Sequence, residues 1–196
     1  MWKDKIFDLV KEFKHPAWGI SHFTRVYKLS LELVKVDQLR IDYDALYAAA
    51  YLHDIGAFKP YSQKEKDHSD VAIENCDDIL GSTDFPQDKF QLVKDIIKSH
   101  MFYATPVNNL ESKIFHDADT LDFMGTIGVT RILSIVGKED WTSDLSSAIK
   151  LIKKFSTELP SSLVTNVAQK IGEVRKKEME EFLKNLAEET NQYEFL

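Results

Sequence analysis

A histidine and an aspartate stand side by side at His53 and Asp54, near the end of a segment that is predicted to form a buried helix. His53 lies three residues after Ala50 and seven after Leu46. Asp54 lies four residues after Ala50 and seven after Tyr47. At about 100° per residue, both polar side chains fall on the apolar face of the helix. Burying a carboxylate and an imidazole there costs free energy unless a partner compensates them. The pair is therefore either part of a cation site or a hydrogen-bonded pair in the core.

Three further histidines are predicted on the apolar faces of three other helices. His22 lies four residues before Val26 on the second helix, His68 opens a later helix, and His100 ends the next one. One histidine on such a face is typically a core residue bonded to a carbonyl group, and a cationic histidine at a helix end can interact with the helix dipole. Four such histidines beside Asp54 are hard to provide with hydrogen-bond partners from one another unless a cation is bound. This pattern predicts a site for a divalent metal.

A second dense polar cluster begins at His116. Ala118 lies on the inner face of its helix and Asp122 lies near the middle of that face, whereas Asp117 and Asp119 lie about 100° to either side of Ala118. Asp117 and Asp119 therefore point in opposite directions, and helical periodicity does not choose between the aspartates. His116 is predicted on the outer side of the helix, so the second His-Asp dipeptide is not expected to bind a metal.

The candidate ligands are imidazoles and carboxylates, without a thiolate. Such a set suits Mn²⁺, Fe²⁺, Ni²⁺, Co²⁺ or Zn²⁺ better than Ca²⁺, and Mg²⁺ remains a candidate although it prefers oxygen ligands. The single cysteine, Cys76, excludes an intrachain disulfide and fits a reducing compartment. It is predicted to be buried structural filler.

Composition favours helices over sheet for the elements that carry these residues. The chain has 196 residues, of which 43% are hydrophobic, with seven Gly, five Pro and no Asn-Gly or Asp-Gly hairpin signal. We expect one compact multi-helix domain over residues 1–196, with the metal site in the core between helices. Predicted helices cover residues 3–14, 21–36, 42–54, 68–80 and 87–100, a long helix covers 111–136 with a kink near its glycines, and two helices near 144–155 and 163–186 cover the core or form a subunit contact.

Charge and hydropathy exclude some classes of function. The net charge of −7 disfavours a partner that is a nucleic-acid polymer, but it allows a small anionic substrate that meets a few local cations. The first residues after Met1 lack the apolar core of a signal peptide, and no apolar run approaches the length of a membrane span. We therefore expect a cytoplasmic protein without a membrane partner, and a homodimer is compatible with the sequence.

These motifs together resemble the HD-domain superfamily of metal-dependent phosphohydrolases, and most closely its small, stand-alone bacterial members. The resemblance covers about residues 21–131. It is carried by His22-x-x-Arg25-Val26, by Leu52-His53-Asp54-Ile55-Gly56, by Asp117-Ala118-Asp119-Thr120-Leu121-Asp122 and by Gly125-x-Ile127-Gly128-x-x-Arg131.

The resemblance implies an all-helical fold and a set of four metal ligands, namely His22, His53, Asp54 and Asp119. It therefore selects Asp119 where periodicity left the choice open. The chain departs from the family pattern at one place, because Thr120 stands where the family usually has an arginine. That departure puts the substrate range in doubt more than metal binding.

The implied activity is the hydrolysis of a phosphate ester or phosphoanhydride, with a nucleotide as the substrate suggested by the family. Asp54 is expected to orient the attacking water. His68 and His100 could hold a second metal ion, contact the substrate phosphate or transfer a proton, or be structural, and the sequence leaves these roles open. Candidates for contacts to phosphate are Arg25, Lys59, Lys64 and Arg131, and for each of them a structural or exposed ion pair is the alternative.

Two other classes of function fit the same residues. A few members of the superfamily are dinuclear iron oxygenases, which would bind two irons and turn over with oxygen. A non-catalytic sensor or scaffold would keep the metal without turnover. The substrate, the native metal, the number of ions and the oligomeric state do not follow from the sequence.

Overall fold

The computed structural model describes all residues 1–196 and contains helices and turns but no β-strand. The all-α prediction is confirmed. The helices are α1 (Trp2–Val10), α2 (Ile20–Val36), α3 (Tyr43–Leu52), α4 (His68–Gly81), α5 (Phe90–Ser99), α6 (Leu110–Asp122), α7 (Gly125–Ser134), α8 (Leu145–Ser162) and α9 (Asn166–Glu189), with short 3-10 turns at Ile55–Ala57, Gln87–Lys89 and Asp140–Thr142.

The chain divides into two compact units, residues 1–119 and residues 120–196. Helices α1 to α5 and most of α6 belong to the first unit, and α7 to α9 belong to the second. That residues 1–196 act as one domain stays a prediction. None of the helices combines the length and the apolar character that a membrane crossing requires.

In the first unit, α3 is the central helix. It packs against α1, α2 and α5, and α4 packs against α5. Asp42 is the N-cap of α3, since its carboxylate accepts hydrogen bonds from the backbone N–H groups of Asp44 and Ala45 at 3.0 and 2.9 Å. The run Ala48–Ala50 is fully buried.

In the second unit, α8 packs against α9, and α7 packs against both. The long helix predicted over 111–136 is in fact two helices, α6 and α7, that are interrupted after Asp122. Between them Met124 is extended, with φ of −111° and ψ of 162°, and Gly125 follows with a φ of 68°, in the left-handed region that favours glycine and that a continuous right-handed helix does not contain. The predicted kink near Gly125 is therefore a complete break.

Candidate metal centre

Helix ends bring six histidine and aspartate side chains together in the first unit. Each side chain lies within one turn of a helix terminus, where the backbone can aim it away from its own helix. The six are His22 in the first turn of α2, His53 and Asp54 directly after α3, His68 as the first residue of α4, His100 directly after α5, and Asp119 in the last turn of α6.

The His53 ring is held by its own backbone. Its Nδ1 lies 3.0 Å from the Ala50 carbonyl oxygen, and because a carbonyl can only accept, Nδ1 carries the proton. In a neutral ring the lone pair is then on Nε2. This Nε2 lies 3.2 Å from His22 Nε2, 3.3 Å from Asp54 Oδ2 and 3.9 Å from Asp119 Oδ1. His53 thus presents an acceptor to a nitrogen and two carboxylate oxygens.

His100 repeats this arrangement at the end of α5. Its Nδ1 donates to the Ile97 carbonyl oxygen at 2.6 Å, so the Nε2 of the neutral ring also carries a lone pair. That Nε2 is 3.5 Å from Asp54 Oδ1, and His68 Nε2 is 3.2 Å from the same oxygen. Both imidazoles therefore face one carboxylate oxygen.

The six side chains form two groups of three possible ligands, within each of which the ligand atoms lie within 4.8 Å of one another. His22, His53 and Asp119 form the first group, and all three are buried. Asp54, His68 and His100 form the second, in which His68 is 30% exposed. Asp54 faces both groups, because its Oδ2 approaches His22 and its Oδ1 approaches His68. The arrangement can accommodate one cation or two.

Two buried polar atoms in this cluster support a cation at its centre. Asp119 Oδ1 lies 3.1 Å from His22 Nε2 and His100 Nε2 lies 3.5 Å from Asp54 Oδ1, yet neither has a partner with hydrogen-bond geometry. A buried polar atom without a partner costs free energy, and two acceptors that face each other cannot satisfy one another. Imidazole nitrogens and carboxylate oxygens are the donor atoms that first-row divalent metals prefer. The residues present therefore fit a divalent metal.

Electrostatic interactions within the cluster favour charged carboxylates. Burial alone would raise the pKa of the Asp54 carboxyl, but the imidazole of His53 beside it, together with those of His100 and His68, holds that pKa well below its usual range. Burial likewise opposes ionisation of Asp119, whereas the nearby imidazoles of His22, His100 and His53 lower its pKa. Burial would lower the pKa of His68, but the hydrogen bond and charge of Asp54 raise it to about 9. Two buried carboxylates thus stay ionised and attract positive charge to this place.

The sequence model of the HD domain family matches residues 19–124, which include all six side chains. The chain belongs to the HD domain family. No curated protein matches it.

Solved structures with the same fold include other HD proteins. A predicted HD superfamily hydrolase from an uncultured Thermotogales bacterium is 25% identical with a TM-score of 0.67, over 96% of this chain and 90% of that chain. An HD-superfamily hydrolase from Bacillus thuringiensis is 24% identical with a TM-score of 0.67, over 97% and 99% of the two chains. Bacillus subtilis YpgQ, solved in complex with ADP, is 20% identical with a TM-score of 0.72, over 96% and 97%.

Three of the cations predicted to meet phosphate lie in the first unit of this HD protein. Arg25 is half-buried on α2, one turn after His22, and Lys59 and Lys64 are exposed in the segment that leads to His68. Their contacts with a substrate stay predictions.

Arg131 has a different environment from these three cations. Its side chain is 1% exposed in the second unit, and its Nη1 donates to Asp122 Oδ2 at 2.7 Å. Its guanidinium carbon lies 3.6 Å from the centre of the Phe123 ring. These contacts correspond to the structural alternative for Arg131, and they also account for Asp122, the inward-facing aspartate of the second polar cluster.

The predicted outer position of His116 is wrong. His116 is 1% exposed, and its Nδ1 donates to the Ser99 carbonyl oxygen at 2.9 Å. Helical periodicity fails here because all residues from 114 to 122 are buried, so this part of α6 has no solvent-facing side. His116 belongs to neither group of possible metal ligands.

One residue beside the cluster was not predicted. Asp67 caps α4 by accepting a hydrogen bond from the Ser69 N–H at 2.8 Å, and its Oδ1 lies 3.8 Å from His68 Nδ1. His68 therefore lies between two carboxylates, Asp67 and Asp54. The signal in the sequence is an aspartate directly before a predicted helix start, which is the N-cap preference.

Proposed function

We propose that this HD protein is a metal-dependent phosphohydrolase that cleaves a phosphate ester or phosphoanhydride bond of a small phosphorylated substrate, namely a nucleotide. The observation that carries the proposal is the convergence of four imidazoles and two carboxylates in which Asp119 Oδ1 and His100 Nε2 are buried without a hydrogen-bond partner. A structural core pair would not leave these atoms unsatisfied.

Four residues are proposed to hold the ion, namely His22, His53, Asp54 and Asp119. A divalent cation supplies a water of lowered pKa and positive charge beside the phosphoryl oxygens. The Nδ1–H···O bond to Ala50 fixes the His53 ring so that its Nε2 is available as a ligand. The protein thereby keeps the ligand atoms in position before substrate arrives.

Asp54 and His68 are proposed to handle protons and substrate. Asp54 has two oxygens that face different imidazoles, so one oxygen can bind the ion while the other accepts a hydrogen bond from the attacking water. His68 is the most exposed of the six residues, and the Asp67 carboxylate, 3.8 Å from its Nδ1, favours a protonated ring. A protonated His68 can donate to a phosphoryl oxygen or to the leaving group. His100, which is buried beside it, is proposed to assist in the same step.

The nucleotide assignment is supported by fold and charge. Bacillus subtilis YpgQ, which shares the fold with a TM-score of 0.72, was solved in complex with ADP. In this chain Arg25, Lys59 and Lys64 are the cations proposed to approach the phosphates, and the two lysines are exposed. Arg131 is not included, since its guanidinium is buried against Asp122.

A two-ion centre is the second candidate, and the orientation of Asp54 favours it. Its Oδ2 lies 3.6 Å from His22 Nε2 while its Oδ1 lies 3.2 Å from His68 Nε2, so Asp54 offers one oxygen to each group of possible ligands. If both ions are iron and turnover consumes oxygen, the protein is an oxygenase of the HD family rather than a hydrolase. Metal binding without any turnover would instead indicate a sensor or scaffold.

The test is metal analysis of the purified protein, followed by a screen of nucleotides and generic phosphate esters with added Mn²⁺, Mg²⁺, Co²⁺ and Ni²⁺. We expect release of phosphate or pyrophosphate that depends on the metal and is abolished in His53→Ala and Asp54→Ala. Asp77→Asn, which changes an exposed carboxylate on α4, is the control and should remain active. Full turnover in both site variants would show that the site is wrongly assigned, and a protein that binds no divalent metal would overturn the proposal.

A further inference from the structure

The break between α6 and α7 lies directly after the turn that carries Asp119. The last carbonyl groups of a helix lack partners within it, so a helix end frays unless other groups bond to it. The last turn of α6 includes Asp119 and Leu121. Helix α7 begins at Gly125, and its N-cap residue, Met124, provides no side-chain hydrogen bond. Both helix ends at this junction therefore need partners from elsewhere.

Arg175 of α9 provides the partner for the end of α6. Its Nη1 donates to the Leu121 carbonyl oxygen, which also accepts the Met124 N–H at 3.0 Å. A guanidinium at the C-terminus of a helix interacts favourably with the negative end of the helix dipole. Arg175 thus stabilises the end of α6 through a hydrogen bond and through its charge.

Glu178, one turn further along α9, provides the partner for the start of α7. Its Oε2 accepts the Thr126 N–H at 3.1 Å and lies 3.4 Å from the Thr126 hydroxyl oxygen. A carboxylate at a helix N-terminus interacts favourably with the positive end of the dipole. Glu178 therefore does for α7 what a side-chain cap would do.

Gly125 makes this arrangement possible. A Cβ atom on Gly125 would lie 2.5 Å from Glu178 Oε2 and 3.0 Å from Arg175 Cγ. The junction is in close contact with α9, and only a glycine allows that approach together with a φ of 68°. The two opposite charges of α9 therefore hold the two helix ends on either side of Gly125.

We propose that Arg175 and Glu178 are positioning residues that fix the last turn of α6 and thereby the Asp119 carboxylate for metal binding. The proposal rests on the proposed function, in which Asp119 is a metal ligand. Leu121 O, the acceptor of Arg175, is only two residues from Asp119, and metal–ligand distances tolerate errors of about 0.2 Å. If the turn is free to fray, Asp119 loses its fixed position and the site loses affinity for the ion.

The test measures Mn²⁺ affinity by the electron paramagnetic resonance signal of free Mn²⁺ during titration of the full chain. Arg175→Met keeps the aliphatic stem but removes the donor, and Glu178→Ala removes the acceptor. We expect each to weaken Mn²⁺ binding about tenfold, the loss typical of groups that orient a metal ligand. Glu178→Gln keeps an acceptor oxygen and should restore affinity to within about twofold of wild type.

The matched control is Lys176→Met with Glu180→Gln, a charge pair on the same helix 3.9 Å apart. The control should bind Mn²⁺ as wild type does. Unchanged affinity in Arg175→Met and Glu178→Ala would overturn the proposal, even if both melt at a lower temperature, since that result indicates a structural role alone. If Arg175→Met does not have a native circular dichroism spectrum, the comparison between Glu178→Gln and Glu178→Ala carries the test. Equal Mn²⁺ affinity of those two variants would also overturn the proposal. Wild-type protein that binds no Mn²⁺ would overturn the metal centre itself and this proposal with it.

Discussion

The chain contains two His-Asp dipeptides, and only one of them lies in the cluster of possible ligands. His53-Asp54 and His116-Asp117 are both buried, and in both the histidine Nδ1 donates to a backbone carbonyl, that of Ala50 in one and that of Ser99 in the other. The pairs differ in position along their helices. His53 follows the last residue of α3, whereas His116 lies in the middle of α6.

This difference shows what turns a buried dipeptide into a candidate site. At the end of α3 the His53 Nε2 meets nitrogen and oxygen atoms from other helix ends, including His22 Nε2 at 3.2 Å. Within α6, His116 belongs to neither group of possible ligands. Residue types are the same in the two pairs, so the convergence of neighbouring helix ends makes the distinction.

The largest expected effect is a loss of metal affinity and turnover when the Nε2 atom of His53 is removed, compared with removal of the Nε2 atom of His116. An asparagine can replace the Nδ1–H donor of a histidine but has no Nε2, so His53→Asn and His116→Asn are a matched pair. We expect His53→Asn to lose more than about 100-fold in metal affinity and in turnover, beyond the cost of changing an outer-shell group. His116→Asn should keep both within about threefold. Isothermal titration with Mn²⁺ and assays of phosphate release measure the effects, and equal losses in the two variants would contradict the comparison.

A second, smaller effect concerns stability on metal removal. A ligand that binds only the folded state at 100 times its Kd contributes about 2.7 kcal/mol, which for a chain of this length corresponds to a shift in Tm of roughly 5–11 °C. We expect chelation by EDTA to lower the Tm of wild type and of His116→Asn by such an amount. Calorimetry should show no such shift for His53→Asn. A chelator-induced shift that survives in His53→Asn would mean that the ion binds elsewhere.

The smallest expected effect concerns the helices that carry the two pairs. Their N-terminal ends are linked, since the Asp42 N–H donates to Glu111 Oε1 of α6 at 2.8 Å, and the Asp42 carboxylate also pairs with Lys89 at 2.8 Å. Burial would raise the pKa of Asp42, but the hydrogen bonds from Lys89 and from backbone N–H groups lower it. The folded-state pKa is then below the unfolded value. The stabilisation is present above the unfolded pKa and is lost as the pH falls through the folded pKa.

Asp42→Asn keeps a capping oxygen but loses the charge, so it isolates this contribution. We expect it to lower the free energy of unfolding by about 0.5–1 kcal/mol at pH 7 and to have a smaller effect near pH 3, measured by urea denaturation. Asp42→Ala also loses the cap, so it should lower the free energy of unfolding by about 1 kcal/mol more than Asp42→Asn does, at pH 7 and at pH 3 alike. If the loss of unfolding free energy in Asp42→Asn grows as the pH falls, the result contradicts a lowered pKa of Asp42 in the folded state. Metal affinity should change in neither variant, which would separate the stability of α3 from the chemistry at its end.

Much of the fold could be predicted because local signals determine it. The start of α3 is set by Asp42 directly before it, whose side chain caps the helix, and the scarcity of hairpin signals favoured helices throughout. Cys76, predicted to be inert filler, is buried, and burial raises the pKa of its thiol to about 12. The exact end of α6 could not be predicted, because it depends on Gly125 and on Arg175, which lies more than 50 residues away in the sequence.

By itself, the sequence determined that several histidines and aspartates lie on buried faces and at helix ends, because helix period and capping are local properties. It could not determine from periodicity which aspartate of the second cluster joins them. The tertiary structure places Asp119 Oδ1 3.1 Å from His22 Nε2, directs Asp122 to Arg131, and buries His116 against Ser99. These outcomes depend on distances between different helices, and such distances are set by packing and by the satisfaction of buried charges.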